Sequence, residues 1–355
     1  MNIVITGNLG YVGSSVVRRL RGSYPSGKLT GIDMGLFSGC ITNPDFLAEC
    51  LLDEQRYSDI RNVPEELFAG VDHVVHLAGI SNDPIGKRFE AVTYDINFKA
   101  SISLAAKAKR AGVKSFIFAS SCSIYGFAQE GAKTETSTLD PLTAYARSKV
   151  MTEETLQQLA DQNFKVTCLR FSTACGMSDR LRLDLVLNDF VACAVATKKI
   201  SILSDGTPWR PLINVKDMAR AIDWAITRST VDARDFLAIN VGCDEWNKQV
   251  KDLAEAVANA FPGTEIEINR DAMPDKRSYR VDFGLFKKLA PDHQPQFDLQ
   301  ATIAELETGL RACGFSEQNF RNSTKYIRLH TLNMLLEKGL INENLNWCQE
   351  QGQGA

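Results

Sequence analysis

Met1-Asn2-Ile3-Val4-Ile5-Thr6-Gly7-Asn8-Leu9-Gly10-Tyr11-Val12-Gly13 opens the chain, and its reading decides the architecture. Asn2 to Thr6 is a short apolar strand, and Ser14 to Arg21 carries a helical pattern. Strand, glycine turn and helix in that order are what a phosphate-cradling loop needs. Gly7 permits the tight turn, and Gly10 lets a pyrophosphate approach the backbone where free amides favour negative charge. Gly13 lets the helix pack closely on the strand. The spacing is Gly-x-x-Gly-x-x-Gly rather than Gly-x-Gly-x-x-Gly, and a glycine-rich loop taken alone is also an ordinary turn.

Outward from the loop, the next strand is Lys28 to Ile32, ending at Asp33. An acidic residue about 20 positions past the last glycine suits the adenosine ribose hydroxyls and repels a 2′-phosphate. That favours NAD over NADP; the alternative is a loop aspartate after a strand. Gly35 to Glu49 reads as loop and short helix, and Pro64 to Ala69 as a helix. Asp72 to Leu77 is a buried strand ending in Ala78-Gly79-Ile80-Ser81, small residues that leave room for a ligand. His73 and His76 face opposite ways along it, so core or turn roles fit them better than a ligand pair. Ala91 to Ala111 is a long amphipathic helix carrying Asn97. Lys114 to Ala119 is another buried strand, followed by Ser120-Ser121-Cys122-Ser123-Ile124-Tyr125-Gly126. Strict alternation of strand and helix predicts an α/β fold with a doubly wound parallel sheet.

Tyr145-Ala146-Arg147-Ser148-Lys149 lies in a predicted helix from Thr143 to about Gln162. Tyr145 and Lys149 are one turn apart on the same face. An ammonium beside a phenol favours the phenolate, which can then accept a proton from a sugar or alcohol hydroxyl. A hydroxyl at a parallel strand's carboxyl end points into the ligand crevice, so Ser121 is placed to hold the oxygen whose proton Tyr145 exchanges. The bland readings are a solvated helix face and a serine-rich turn.

Composition bounds the function. The chain has 355 residues, 44% hydrophobic and 23% charged, with a formal charge of −3. Those values describe an ordinary globular protein with a large core and no field for nucleic acid or anionic membrane. No apolar run reaches the roughly 18 residues of a membrane span. The first residues enter a strand without a basic leader, so a cytoplasmic location is expected. Nine scattered cysteines without a Cys-x-x-Cys pair, and only four histidines, point to reduced thiols and no metal site.

After the strand Lys165 to Phe171 the texture changes. Arg180, Arg182, Asn188 and Arg210 gather around a helix from Leu183 to Thr197, and such residues suit phosphate oxygens. The expected organisation is a dinucleotide-binding domain over 1–175 with returning segments at about 212–242. A smaller C-terminal α/β substrate lobe spans 176–211 and 243–320. A helical appendage covers 321–355, with helices at Thr324 to Leu336 and Glu343 to Trp347.

Together these residues resemble the extended short-chain dehydrogenase/reductase family, in its NAD-dependent nucleotide-sugar epimerase/dehydratase branch. The likeness covers about Met1 to Phe315 and rests on Gly7-Gly10-Gly13, Asp59-Ile60, His76-Leu77-Ala78-Gly79, Asn97, Ser120-Ser121, Tyr125-Gly126 and Tyr145-x-x-x-Lys149. It implies a Rossmann-type fold, NAD as cofactor, a nucleotide-diphosphate sugar as substrate and a homodimer built on the two long helices. Tyr145 would be the general base/acid, Lys149 would lower its pKa and hold the nicotinamide ribose, and Ser121 would bind the reacting sugar oxygen. Cofactor contacts would come from Gly7, Gly10, Tyr11, Val12, Gly13, Asp33, Asp59, Ile60, Leu77, Ala78, Gly79, Asn97, Ser120, Tyr145, Lys149 and Thr173. Substrate contacts would come from Ser81, Ser121, Cys122, Ser123, Arg180, Asn188, Arg210 and Arg277.

There are departures. Cys122-Ser123 stand where the 4,6-dehydratases carry an Asp-Glu acid/base pair, which disfavours dehydration. Thr173 replaces an asparagine, and Lys276 or Arg277 would substitute for a second phosphate arginine. The stretch Arg180 to Phe190 resembles a subgroup of sugar-nucleotide 4-oxidoreductases that includes GDP-heptose dehydrogenases. The expected function is oxidation at C4 leading to 4-epimerisation. The alternatives are a net 4-dehydrogenase/ketoreductase and a non-catalytic dinucleotide-binding regulator.

Overall fold

The computed structural model describes residues 1–43, 45–229, 234–269 and 277–348. Among them, seven strands form one parallel sheet: β1 (Asn2–Thr6), β2 (Lys28–Asp33), β3 (Glu54–Tyr57), β4 (His73–His76), β5 (Ser115–Ser121), β6 (Lys165–Phe171) and β7 (Phe236–Val241). The spatial order is β7-β6-β5-β4-β1-β2-β3. The strand order reverses between β1 and β4, which pair in register with Thr6 opposite His76. At such a reversal the loops beyond the strand ends diverge and leave a crevice.

Alternation along the strands explains the layers. Ile3, Ile5, Val75, Ile117 and Leu169 point to one face, where they pack with the helices Gly13–Ser23 and Val215–Thr227. Val4, Val74, Phe116, Phe118, Val166 and Cys168 point to the other, against the helix Ser101–Arg110 and Leu156 of the helix Ala144–Leu159. The sequence reading therefore placed the parallel sheet and most strands correctly. It missed β3, Glu-Gln-Arg-Tyr, because this short edge strand has no apolar alternation to betray it.

Several local expectations need correction. The helix expected from Ala91 to Ala111 is interrupted at Asp95–Ala100 by a wider π-type turn. The expected helix from Pro64 is a single 3-10 turn at Glu65–Phe68. Beyond the sheet, Trp209–Asn214 pairs with Thr173–Cys175 and Asn247–Gln249, and Glu265–Ile268 pairs with Lys199–Ile202. In the tail, Arg328–Glu337 is helical, ended by Gly339 at φ +67. Glu343 to Trp347 is not helical but a turn closed by an Ile341–Trp347 bridge. Residues 349–355 of the expected appendage, and Lys276, lie outside the described residues.

Candidate active site

One crevice of about 860 Å³ runs along the carboxyl ends of the parallel strands. The glycine loop forms part of its wall, and the backbone there demands glycine at two points. Gly7 has φ +73, and a Cβ on it would meet the Ala78 backbone nitrogen at 2.7 Å. A Cβ on Gly13 would meet the Gly7 and Asn8 carbonyl oxygens at 2.5 Å. Gly10 is different, since its Cβ would meet only the Gly7 oxygen, at 3.0 Å. Gly7 and Gly13 thus serve packing, while Gly10 keeps the backbone open beside a helix N-terminus. Asp33, at the end of β2, accepts from the Leu9 and Gly35 amides at 3.2 and 2.8 Å, and burial raises its pKa. The cradle and the carboxylate fit a dinucleotide's pyrophosphate and ribose.

The helix Ala144–Leu159 brings the expected catalytic pair to the same crevice. Thr143 caps it, its hydroxyl accepting from the Ala146 amide at 3.1 Å. Tyr145 and Lys149 both line the crevice, as do Ser121 and Ser123. The Lys149 ammonium lies 5.6 Å from the centre of the Tyr145 ring and donates to the Ala119 carbonyl at 2.6 Å. The expectation of a lowered tyrosine pKa is corrected here. Burial lifts the Tyr145 hydroxyl to about 12, against hydrogen bonding from Ser121 and the positive charge of Arg182, which pull it down. Burial also brings Lys149 down to about 8. Desolvation dominates at Tyr145, and the Lys149 ammonium directs its hydrogen bond to a carbonyl rather than to the phenol.

Beneath this pair lies a buried ionic network. Glu153, one turn past Lys149, accepts from Arg170 Nη2 at 2.7 Å and from the Ser120 hydroxyl. Arg170 also donates to Tyr125 at 3.1 Å, and Tyr125 donates to Asn240 at 2.6 Å. The helix Ala144–Leu159, β5 and β6, which each carry part of the crevice wall, are therefore tied from behind.

Most of the other expected residues also line the crevice: Tyr11, Val12, Asp59, Ile60, Leu77, Ala78, Gly79, Ser81, Ser120, Thr173, Arg210 and Arg277. Four do not. Asn97 is buried at the π-type turn, where it clasps both the amide and carbonyl of Ile80 at 2.8 and 2.9 Å and donates to Ser148. Asn188 is buried between the Gly176 amide, the Tyr11 hydroxyl and the Arg182 carbonyl. Arg180 is drawn away by Glu49 at 2.7 Å. Cys122 is buried with its thiol donating to the Arg170 carbonyl at 3.0 Å, and burial pushes its pKa up. These side chains satisfy backbone and ionic partners behind the wall.

Arg182, one of the residues expected to suit phosphate oxygens, lines the crevice, holds Asp184 through two hydrogen bonds, 2.9 and 2.7 Å, and donates to Ser81 at 3.1 Å. The sequence reading missed other parts of the wall. Asp83, Arg321 and Arg328 also line the crevice. Arg277 Nη1 reaches Asp83 at 2.5 Å, and Arg321 holds Asp189 at 2.6 Å. Arg182 sat in a visible Arg-x-Arg cluster, whereas Arg321 and Arg328 come from a segment that no motif marked.

A family profile described as the NAD dependent epimerase/dehydratase family matches residues 3–242. The chain belongs to that family. A dTDP-glucose 4,6-dehydratase of Streptomyces griseus is 29% identical over 314 residues, 85% of this chain and 93% of that one. A UDP-glucose 4-epimerase of Neisseria meningitidis is 30% identical over 242 residues, 61% of this chain and 70% of that one. Among solved structures, the UDP-glucose-4-epimerase of Stenotrophomonas maltophila with bound NAD and formylated UDP-arabinopyranose shares the fold. Its TM-score is 0.73 at 20% identity, covering 89% of this chain and 100% of the other. The protein is thus an NAD-dependent enzyme of the extended short-chain dehydrogenase/reductase type, in the nucleotide-sugar epimerase/dehydratase family.

Proposed function

We propose that this enzyme inverts C4 of a nucleoside-diphosphate-linked hexose or heptose. The observation that carries the reading is the convergence of Tyr145, Lys149 and Ser121 on one crevice with the glycine cradle. Gly7, Gly10, Gly13, Asp33, Asp59 and Ile60 would hold the dinucleotide, which supplies the hydride acceptor and donor. Ser121 holds the C4 oxygen, and Tyr145 takes its proton as hydride departs. The 4-keto sugar then turns so that hydride would return to the other face of C4, and Tyr145 gives the proton back to the C4 oxygen. Arg210 and Arg277 face the diphosphate, where guanidinium forks suit its oxygens. Cys122 and Ser123 favour epimerisation over dehydration: a buried thiol with a raised pKa offers no acid/base pair for eliminating water.

The reading includes a cytosolic homodimer that pairs the helices Ser101–Arg110 and Ala144–Leu159; elution at the monomer volume counts against that assembly. The decisive test is incubation with a panel of UDP-, GDP-, CDP- and dTDP-sugars, following product configuration and nicotinamide absorbance together. We expect one of them to yield its 4-epimer without net reduction of the cofactor. Stoichiometric reduced nicotinamide with a released keto sugar replaces epimerisation by net dehydrogenation. No turnover of any sugar nucleotide rejects the reading.

A further inference from the structure

The segment after Phe320 lies outside the motifs that carry the family resemblance, yet it reaches the crevice. Ile327, Arg328, Leu332 and Leu345 all contribute to the wall. Leu332 and Leu345 are each 1% exposed and share an apolar cluster with Ile32 and Ile60. The Arg328 guanidinium lies 5.1 Å from the centre of the Phe37 ring and donates to the Arg180 carbonyl at 2.7 Å. Phe37, Asp59 and Ile60 line the crevice together with Asp33, whose carboxylate suits the adenosine ribose.

The segment is fastened at that end. Trp347 Nε1 donates to the carbonyl of Met34, directly after Asp33, at 2.6 Å. Arg61 clasps Asp59 and also donates to the Asn344 carbonyl at 2.8 Å and to the Asn346 side chain. Between those ties Leu345 has φ +55. The left-handed conformation is unfavourable for a leucine, and it persists only where the surroundings impose it. Here it turns the side chain inward. Asn346 and Trp347 also border a neighbouring cavity of about 490 Å³ that shares Met34, Ser58 and Asp59 with the crevice.

We propose that the Ile327–Trp347 segment is part of the cofactor site, walling in the adenosine half of the dinucleotide and slowing its release. Arg328, Leu332, Leu345 and Trp347 are the residues this assigns to the site. The inference rests on the crevice being an NAD site and deepens the epimerase reading. A reaction that returns its hydride at every turnover has no need to exchange the dinucleotide.

The test uses the full chain and reads dissociation rather than turnover. Wild type, Trp347→Ala and Leu345→Ala are loaded with NADH and chased with excess NAD⁺, following nicotinamide fluorescence; ADP-ribose release is timed in parallel. Trp347 is 43% exposed, so its truncation leaves the core intact and keeps the test valid if Leu345→Ala folds poorly. Expected is release about tenfold faster or more from Trp347→Ala, with the melting temperature preserved. ADP-ribose, which has the adenosine half without the nicotinamide, should be released faster by a similar factor. Release at the wild-type rate overturns the proposal, and so does a lowered melting temperature with unchanged release, which makes the segment merely structural. Wild type that binds neither NADH nor ADP-ribose instead removes the cofactor reading itself.

Discussion

At the scale of single residues, the chemistry turns on how a buried phenol exchanges its proton. With Tyr145 held near 12, only a small phenolate fraction exists at neutral pH, and that fraction grows tenfold per pH unit. The oxidising half-reaction should therefore accelerate as pH rises from about 6 toward 8. Lys149 loses its charge above about 8, so the rise should bend over there. Single-turnover reduction of NAD measured across pH checks both limbs; a flat profile contradicts Tyr145 as the proton acceptor. Tyr145→Phe should lower turnover by at least about a hundredfold while NADH still binds, as fluorescence titration would show. Near-normal turnover in that variant removes Tyr145 from the reaction. Tyr145 and Lys149 were legible in the sequence because their spacing is local. Asn97, Asn188 and Arg180 carried equally suggestive identities. Their placement behind the wall depends on Ile80, Gly176 and Glu49, partners 17, 12 and 131 positions away that no periodicity reveals.

At the scale of elements, the helix Ala144–Leu159 is positioned as much from beneath as by its own cap. Glu153 and Arg170 are buried, and their ion pair ties this helix to β6 while Ser120 ties in β5. Breaking a buried pair leaves an uncompensated charge, at a cost of about 3 kcal/mol. Glu153→Gln should accordingly lower the chemical-denaturation free energy by about that much. It should also reduce kcat more than it raises KM, because the helix bearing Tyr145 and Lys149 loses its anchor. Unchanged stability would mean that Arg170 is compensated elsewhere. The π-type turn at Asp95–Ala100 works similarly from the neighbouring helix, placing Asn97 where it holds Ile80 and Ser148. A single extra residue in a helical turn leaves no mark on an amphipathic pattern, so the sequence showed only an unbroken helix.

For the whole molecule, the junction of β1 and β4 makes stability depend on acid. His76 is buried between the hydroxyls of Thr6 and Ser101, at 2.7 and 2.8 Å, and burial lowers its pKa to about 3. In the unfolded chain it would titrate near its ordinary 6.5. Its stabilising contribution is thus complete above pH 6.5 and is lost as pH falls toward 3, at about 1.4 kcal/mol per pH unit. Denaturation free energies of wild type and His76→Asn, compared between pH 7 and 4, should converge as pH falls. A constant gap between them would show that His76 does not titrate on unfolding.

The sequence by itself determined the layered parallel sheet, the glycine turn, the family and the tyrosine–lysine helix. Each of these is written in spacings of a few residues, which the regular geometry of strands and helices converts directly into structure. Only the tertiary structure decided which polar side chains reach the crevice and which stay behind it. It alone showed that the tyrosine is buried, which raises its pKa where the neighbouring ammonium was expected to lower it, and that the last described residues return to the end of β2. Those outcomes depend on desolvation and on partners between 12 and 313 positions apart, and both exist only once the chain has packed.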